Sequence, residues 1–342
     1  MPLPYPFTAL VGQEEMTRAL TVAAVDPGIG GVLILGDRGT GKSTAVRALA
    51  GLLPTIDVVA GCPYNCDPQD EACSVAPGCP KGDGEWETVK VPVPVVDLPL
   101  GVTEDRVVGA LDLERALTKG EKAFEPGLLA RANRGFLYID EVNLLEDHIV
   151  DLLLDSAASG ETVVEREGLS VRYPSRFVLV GSGNPEEGDL RPQMLDRFGL
   201  SVDVTTPQDI ATRVEVVRRR DAFERDRAGF RDRYGDDEAA LRDKITAARG
   251  RIDAVAVPDA ALEKAAALCL DLGTDGLRGE LTLMRAARAL AALEQAAEVS
   301  DAHLQAMAPA ALSHRLRRDP LDEAGGATRV ARAVESVFGA DG

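Results

Sequence analysis

The chain has 342 residues, 45% hydrophobic and 27% charged, with 38 basic against 56 acidic residues and a formal net charge of −18. That length suits two domains, each with its own core, and no stretch approaches the ~20 apolar residues of a membrane helix. An acidic chain repels phosphate backbones at long range, which argues against general nucleic-acid binding.

The first residues, Met1 to Phe7, have neither a basic region nor an apolar h-region, so no secretory signal or transit peptide is expected. Five cysteines without an export signal point to a reducing compartment, with the cytoplasm as the default. Between Phe7 and Asp26, Met16, Ala19, Leu20 and Ala23 fall at helical spacing and predict a packing helix.

The apolar run Gly31 to Leu35 then turns into Gly36-Asp37-Arg38-Gly39-Thr40-Gly41-Lys42-Ser43-Thr44, followed by a helical run. A strand, a G-x-x-x-x-G-K-S turn and a helix form the context of a phosphate-binding loop. Its glycines let consecutive N–H groups point at phosphates, and the helix N-terminus favours the same charge. Lys42 is expected to reach the β- and γ-phosphates, and Ser43 to complete the shell of a Mg²⁺ ion. The residues predict binding of a nucleoside triphosphate.

The next acidic strand, Phe136 to Ile139 ending in Asp140-Glu141, lies about 100 residues after Lys42, where two crossovers need only about 60. The excess predicts insertions. One is the Pro-, Gly-, Asp- and Cys-rich loop 60–84; the other is 101–120, read as a turn and a short amphipathic segment. Asp140, at a strand end beside the phosphate loop, can hold Mg²⁺ through its water shell, and Glu141 can polarise the attacking water.

Residues 143–159 read as one helix and 160–173 as a β-hairpin; Phe177 to Gly183 is a buried strand ending at Asn184. Asn184 can face the attacking water, or it can simply make an Asx turn before Pro185. Arg197 is either a salt-bridged surface group or an arginine that stabilises charge at a neighbouring subunit's phosphate.

After Pro207 more than half of residues 213–233 are charged, with mixed signs, which predicts a solvated helical linker over 207–257. From 258 the sequence predicts a helical bundle, broken at 273–279 and near Pro309 and Pro320, with Arg278 at a helix start and a peripheral tail from Asp322.

Cys62, Cys66, Cys73 and Cys79 are spaced C-x₃-C-x₆-C-x₅-C within the first insertion. Such a set can bind Zn²⁺ or an iron–sulfur cluster, but the paired C-x₂-C knuckles are absent. Free thiols or a labile disulfide in an exposed loop are the other readings. Cys269, on an apolar helix face, reads as core.

Together these features predict an α/β fold: a P-loop AAA+ core of parallel sheet between helices over 1–206, then the 207–257 linker and an all-α helical-bundle lid over 258–342. At this point the sequence resembles the I-subunit family of magnesium chelatase, whose enzyme inserts Mg²⁺ into protoporphyrin IX. The likeness rests on 32–53, 94–101, 107–112, 124–135, 140–154, 181–196, 276–281 and 312–324.

The resemblance implies that 36–44 is the Walker A loop and Asp140-Glu141 the Walker B pair, with ATP and Mg²⁺ as ligands. It makes Asn184 sensor 1, Arg197 a trans-acting arginine finger and Arg278 the sensor 2 arginine. Segments 101–120 and 161–173 become the clade's insertions. It further implies a homo-oligomeric ring, expected as a hexamer, docking on a D subunit and driving a porphyrin-binding H subunit, in chlorophyll or bacteriochlorophyll synthesis. The cysteine cluster is not part of that pattern. A chaperone-like metalloenzyme maturation ATPase and, with less support, a DNA-remodelling motor are the competing readings.

Overall fold

The computed structural model describes residues 3–37, 39–70, 76–84, 86–112, 117–118, 123–166, 169–184, 186, 188, 190, 195–316 and 325–339. Arg38, Cys73, Pro185 and Pro320 therefore lie outside the described residues.

Five strands, β1 (Val32–Gly36), β2 (Val95–Leu98), β3 (Phe136–Ile139), β4 (Val178–Gly183) and β5 (Leu200–Val204), form one parallel sheet. Their order is β5-β1-β4-β3-β2. Strands buried on both faces read as continuous apolar runs, as β1, β3 and β4 do.

Alternation assigns the two faces. Val32, Ile34, Phe136, Tyr138, Val178 and Val180 enter one hydrophobic core, and Leu33, Leu137, Ile139 and Leu179 the other. The first core holds the Glu14–Val25 and Lys42–Leu52 helices and runs unbroken into the C-terminal helices. Met16, Ala19, Leu20 and Ala23 are all buried there, as their spacing predicts. The second core lies under the Asp147–Ser159 helix and the insertions.

Several expectations need correction. The single helix over 143–159 is a 3-10 turn, Val142–Leu144, and then a helix from Asp147, which leaves Leu144 half-exposed. The second insertion is a short helix, Glu104–Val108, and a strand, Gly109–Leu111, paired antiparallel with Phe124–Pro126. The strand hides in the sequence because three residues are too few to show a period of two. The hairpin forms as read, Glu161–Arg166 against Leu169–Pro174.

Residues 207–257 are helical, over Ile210–Arg225, Arg227–Arg233 and Gly235–Arg251, but they are not merely solvated. Phe223 and Phe230 pack with Tyr5, and Ile245 and Ala248 are fully buried. Their arginines lay apolar stems on the core and donate to main-chain carbonyls: Arg219 to Ala9 (3.1 Å), Arg242 to Leu52 (2.6 Å), Arg249 to Ala24 (2.9 Å).

The C-terminal helices are Asp259–Leu272, Arg278–Leu293, Asp301–Leu312 and Gly326–Phe338. Pro309 does not break the third, which continues to Leu312 although the ring removes one backbone donor. The fourth is not peripheral: Val330, Ala333, Val334 and Val337 fall at i, i+3, i+4 and i+7, and Val330 and Ala333 are buried in the main core.

Candidate nucleotide site

In a parallel sheet, ligands bind outside the carboxyl ends of the strands, where connections diverge to either side. β1 sits between β4 and β5, and residues that follow β1, β3, β4 and β5 meet there around a cavity of about 930 Å³. Gly39, Thr40, Gly41, Lys42, Ser43 and Thr44 line it, with Asp140, Glu141, Asn184 and Thr206.

The loop after β1 has the backbone that the motif requires. At Gly36 (φ 141°) a Cβ would collide with the Val204 carbonyl of β5, so only glycine lets the loop leave the sheet there. Gly41, at φ 86°, precedes the Lys42–Leu52 helix and provides no side-chain cap. The first N–H groups of that helix are therefore open to an anion. Lys42 Nζ donates to the Gly36 carbonyl (2.6 Å) and the Asp37 carbonyl (3.0 Å), which folds it back over the loop.

Across the cavity, Asp140 Oδ1 accepts from Ser182 Oγ (2.7 Å) and Tyr138 OH (3.1 Å), and those two hydroxyls are 2.8 Å apart. Burial and the neighbouring carboxylate push the Tyr138 phenol well above its usual range, so it remains a donor and fixes the carboxylate. Glu141 has φ 55° and ψ 56°, the left-handed conformation, which costs a non-glycine residue about 1–2 kcal/mol. Such strain collects where a side chain must be aimed. Asn143, beside Gly183, has a buried amide with no protein partner among the described residues.

Asn184 meets both of its readings: Oδ1 accepts from the Glu186 N–H (3.1 Å), an Asx turn, and the residue lines the cavity. Arg197 and Arg278 are not among the described residues lining it. Arg197 Nη1 reaches Asp155 (2.9 Å) and Asp151 (3.1 Å) on the Asp147–Ser159 helix. Arg278 Nη1 reaches Asp196 Oδ2 (2.8 Å).

Asp196 is also gripped by Arg315, whose Nη1 contacts its main-chain and carboxylate oxygens while Nη2 donates to the Phe198 carbonyl (2.7 Å). The Arg315 side chain is 2% exposed. His314 Nε2 lies 3.0 Å from the same carbonyl, and burial beside Arg315 pushes its pKa down to about 3. The lid is thus fastened to the segment just before β5.

Sequence reasoning missed four contributors. Tyr138 and Ser182 read only as strand residues, and the Asp140 partnership depends on the β3–β4 register, with Ile139 opposite Gly181. Arg213 and Arg220, read as solvated charge, line the cavity from the Ile210–Arg225 helix. An i, i+7 pair with Val216 and Val217 between them was the available signal.

The donor set fits a triphosphate with Mg²⁺: an uncapped helix N-terminus, a lysine, a hydroxyl and a carboxylate pair around one open space, with an unpartnered amide beside them.

Comparison with known proteins gives the family. The family model for magnesium chelatase, subunit ChlI, matches residues 6–60 and 113–191, and that for the AAA lid domain matches 262–335. The magnesium-chelatase 38 kDa subunit of Acidiphilium rubrum is 67% identical over 98% of this chain and 97% of its own length. That of Cereibacter sphaeroides is 64% identical over 99% and 100%. A cryo-EM-based structure of the complex between subunits BchI and BchD of magnesium chelatase contains a chain 63% identical, covering 93% of this chain and 97% of that one, with a TM-score of 0.56. The chain belongs to the magnesium-chelatase 38 kDa subunit family.

Proposed function

We propose that the cavity at the carboxyl edge of the sheet binds and hydrolyses ATP with Mg²⁺. As a member of this family the chain is an AAA+ ATPase subunit of magnesium chelatase. The observation that carries the site assignment is the convergence of Lys42, Asp140, Glu141 and Asn184 on one cavity.

The residues divide the work by chemistry. The loop 36–44, with Arg38 included by sequence, cradles the phosphates through main-chain N–H groups, and Lys42 moves from the loop carbonyls onto the β- and γ-phosphates. Ser43 and Asp140 hold Mg²⁺, with Ser182 and Tyr138 keeping the carboxylate in place; the bound ion neutralises charge on the phosphates. Glu141, aimed by its strained backbone, and Asn184 orient the attacking water. Arg278 on the lid approaches the γ-phosphate as sensor 2. Arg197, held on the far side of its own subunit by Asp151 and Asp155, completes a neighbour's site.

On this reading the working form is a homo-oligomeric ring, hexameric, in the cytoplasm, that engages the D subunit and drives the porphyrin-binding H subunit. Mg²⁺ is there also the substrate delivered to protoporphyrin IX. Among the described residues no helix is long and apolar enough to cross a membrane. The test is reconstitution with active D and H subunits, ATP, Mg²⁺ and protoporphyrin IX. Formation of Mg-porphyrin with the wild-type chain and its loss with Glu141→Gln is the expected result; no product with the wild type overturns it.

A further inference from the structure

The first insertion contains a second cluster of metal-binding side chains, on the opposite core from the phosphate loop. The Sγ atoms of Cys62, Cys66 and Cys79 lie within 4.8 Å of one another, with Cys62 and Cys79 3.4 Å apart. The three residues are 9%, 1% and 4% exposed, so the exposed-loop reading of these thiols is wrong. Cys66 is one half of a disulfide whose other half lies outside the described residues.

The surrounding backbone wraps the sulfurs. Asn65 (φ 48°) turns the chain between Cys62 and Cys66 and returns its N–H to the Cys62 carbonyl (3.4 Å). The Lys81 N–H donates to the Cys79 sulfur, two residues before it. Lys81 itself is buried, donates to the Asp67 and Asp70 carbonyls (2.9 and 2.6 Å), and brings a positive charge to the pocket. We propose that Cys62, Cys66 and Cys79 bind a single Zn²⁺ ion as thiolates, making this loop a structural metal site.

Geometry selects that ion. Tetrahedral Zn–S bonds of about 2.3 Å place sulfurs about 3.8 Å apart, the spacing this cluster nearly has. An iron–sulfur cluster would spread its cysteines over more than one iron, and these three are too close for that. Three thiolates around Zn²⁺ carry one net negative charge, which the Lys81 ammonium offsets. To form the site, a dithiol reductant opens the Cys66 disulfide, supplying two electrons and two protons. Each of the three ligand thiols then releases its proton as the metal binds.

The site would anchor a segment with little regular structure to the sheet. Between Cys62 and Cys66, Tyr64 is fully buried, stacks on Tyr173 (centroids 5.2 Å apart) and donates to the Pro77 carbonyl (2.7 Å). Its own carbonyl accepts from Asn133 Nδ2 (2.7 Å), and Asp67 pairs with Arg134 (3.0 Å), just before β3. The zinc would therefore hold the loop against the strand that presents Asp140 and against the hairpin that carries Tyr173.

The full-length chain, reduced with a dithiol and freed of small molecules without oxygen, should bind about one Zn²⁺ measured by atomic emission. Cobalt added in its place should show thiolate-to-metal charge-transfer absorption. Cys62→Ser and Cys79→Ser should each lower zinc at least about tenfold, and Cys269→Ser should leave it unchanged. If a variant fails to fold, the wild type still decides: zinc should protect three native thiols from alkylation, and a strong chelator should lower Tm. A reduced wild-type chain that takes up no zinc, shows no thiolate bands with cobalt, or keeps its metal in both serine variants overturns the proposal.

Discussion

The phosphate-loop cavity lies at the carboxyl ends of the strands and the joint at Asp196 just before the amino end of β5, and the two are built on opposite terms. In the cavity, polar groups line open space: an uncapped helix N-terminus, the Asn143 amide beside it without a partner among the described residues, and Gly39 and Gly41 with no described atom close to their missing side chains. At the joint, Arg278 and Arg315 converge on Asp196, and Arg315 and His314 both reach the Phe198 carbonyl. Groups left open in the native fold can serve a ligand; groups satisfied by the chain itself serve the fold. Substitutions should therefore separate into those that change chemistry and those that change stability.

The largest effect should follow Lys42→Ala, with ATP turnover lowered by at least about a hundredfold and the urea midpoint nearly unchanged. Glu141→Gln should match that loss of turnover while keeping nucleotide affinity. A large fall in urea midpoint for Lys42→Ala would break the contrast. Mixing Lys42→Ala with Arg197→Ala chains should restore some turnover if Arg197 acts in trans, read as phosphate release across mixing ratios; no recovery at any ratio counts against it.

Arg315→Met should do the reverse, costing roughly 2 kcal/mol of stability by urea unfolding, because it removes the buried guanidinium's hydrogen bonds to the Asp196 and Phe198 carbonyls and leaves Asp196 only its Arg278 partner. His314 gives a pH-dependent effect. Its folded pKa is about 3 against an ordinary 6.5, so between those values the unfolded chain binds the extra proton. Its contribution is fully present above pH 6.5 and falls away as pH drops towards 3. His314→Gln should flatten that part of the stability profile; an unchanged slope would show the ring titrates normally.

Smallest of all should be Asp97→Ala, which removes a half-exposed pair with Arg47 (2.8 Å) and should cost less than about 1 kcal/mol, vanishing in high salt.

The sequence announces the cavity more clearly than the joint, for a physical reason. A phosphate loop is local: a strand, glycines at fixed offsets, a lysine and a helix occupy fourteen consecutive positions from Gly31 to Thr44. The carboxylates are legible because they end an apolar run, whereas Asn184, after Gly181-Ser182-Gly183, reads equally as an Asx turn. The joint is not local. Asp196 and Arg315 are 119 positions apart, and nothing in the periodicity around either says that they meet. Tyr138 and Ser182 depend likewise on register, and Arg213 and Arg220 on the face their helix turns inward. The cysteines were visible as a spacing, yet only folding shows that three of them share one buried point. The last helix was underestimated because its apolar stripe is short and follows a charged, proline-containing segment.

Asp196 and Arg197 are consecutive, so their Cα atoms stay about 3.8 Å apart whatever the rest of the molecule does. One faces the lid arginines and the other the Asp147–Ser159 helix. The lid's hold on Asp196 and the Asp147–Ser159 helix's hold on Arg197 therefore meet on one peptide unit, which ties the lid and that helix to the same point of the main chain.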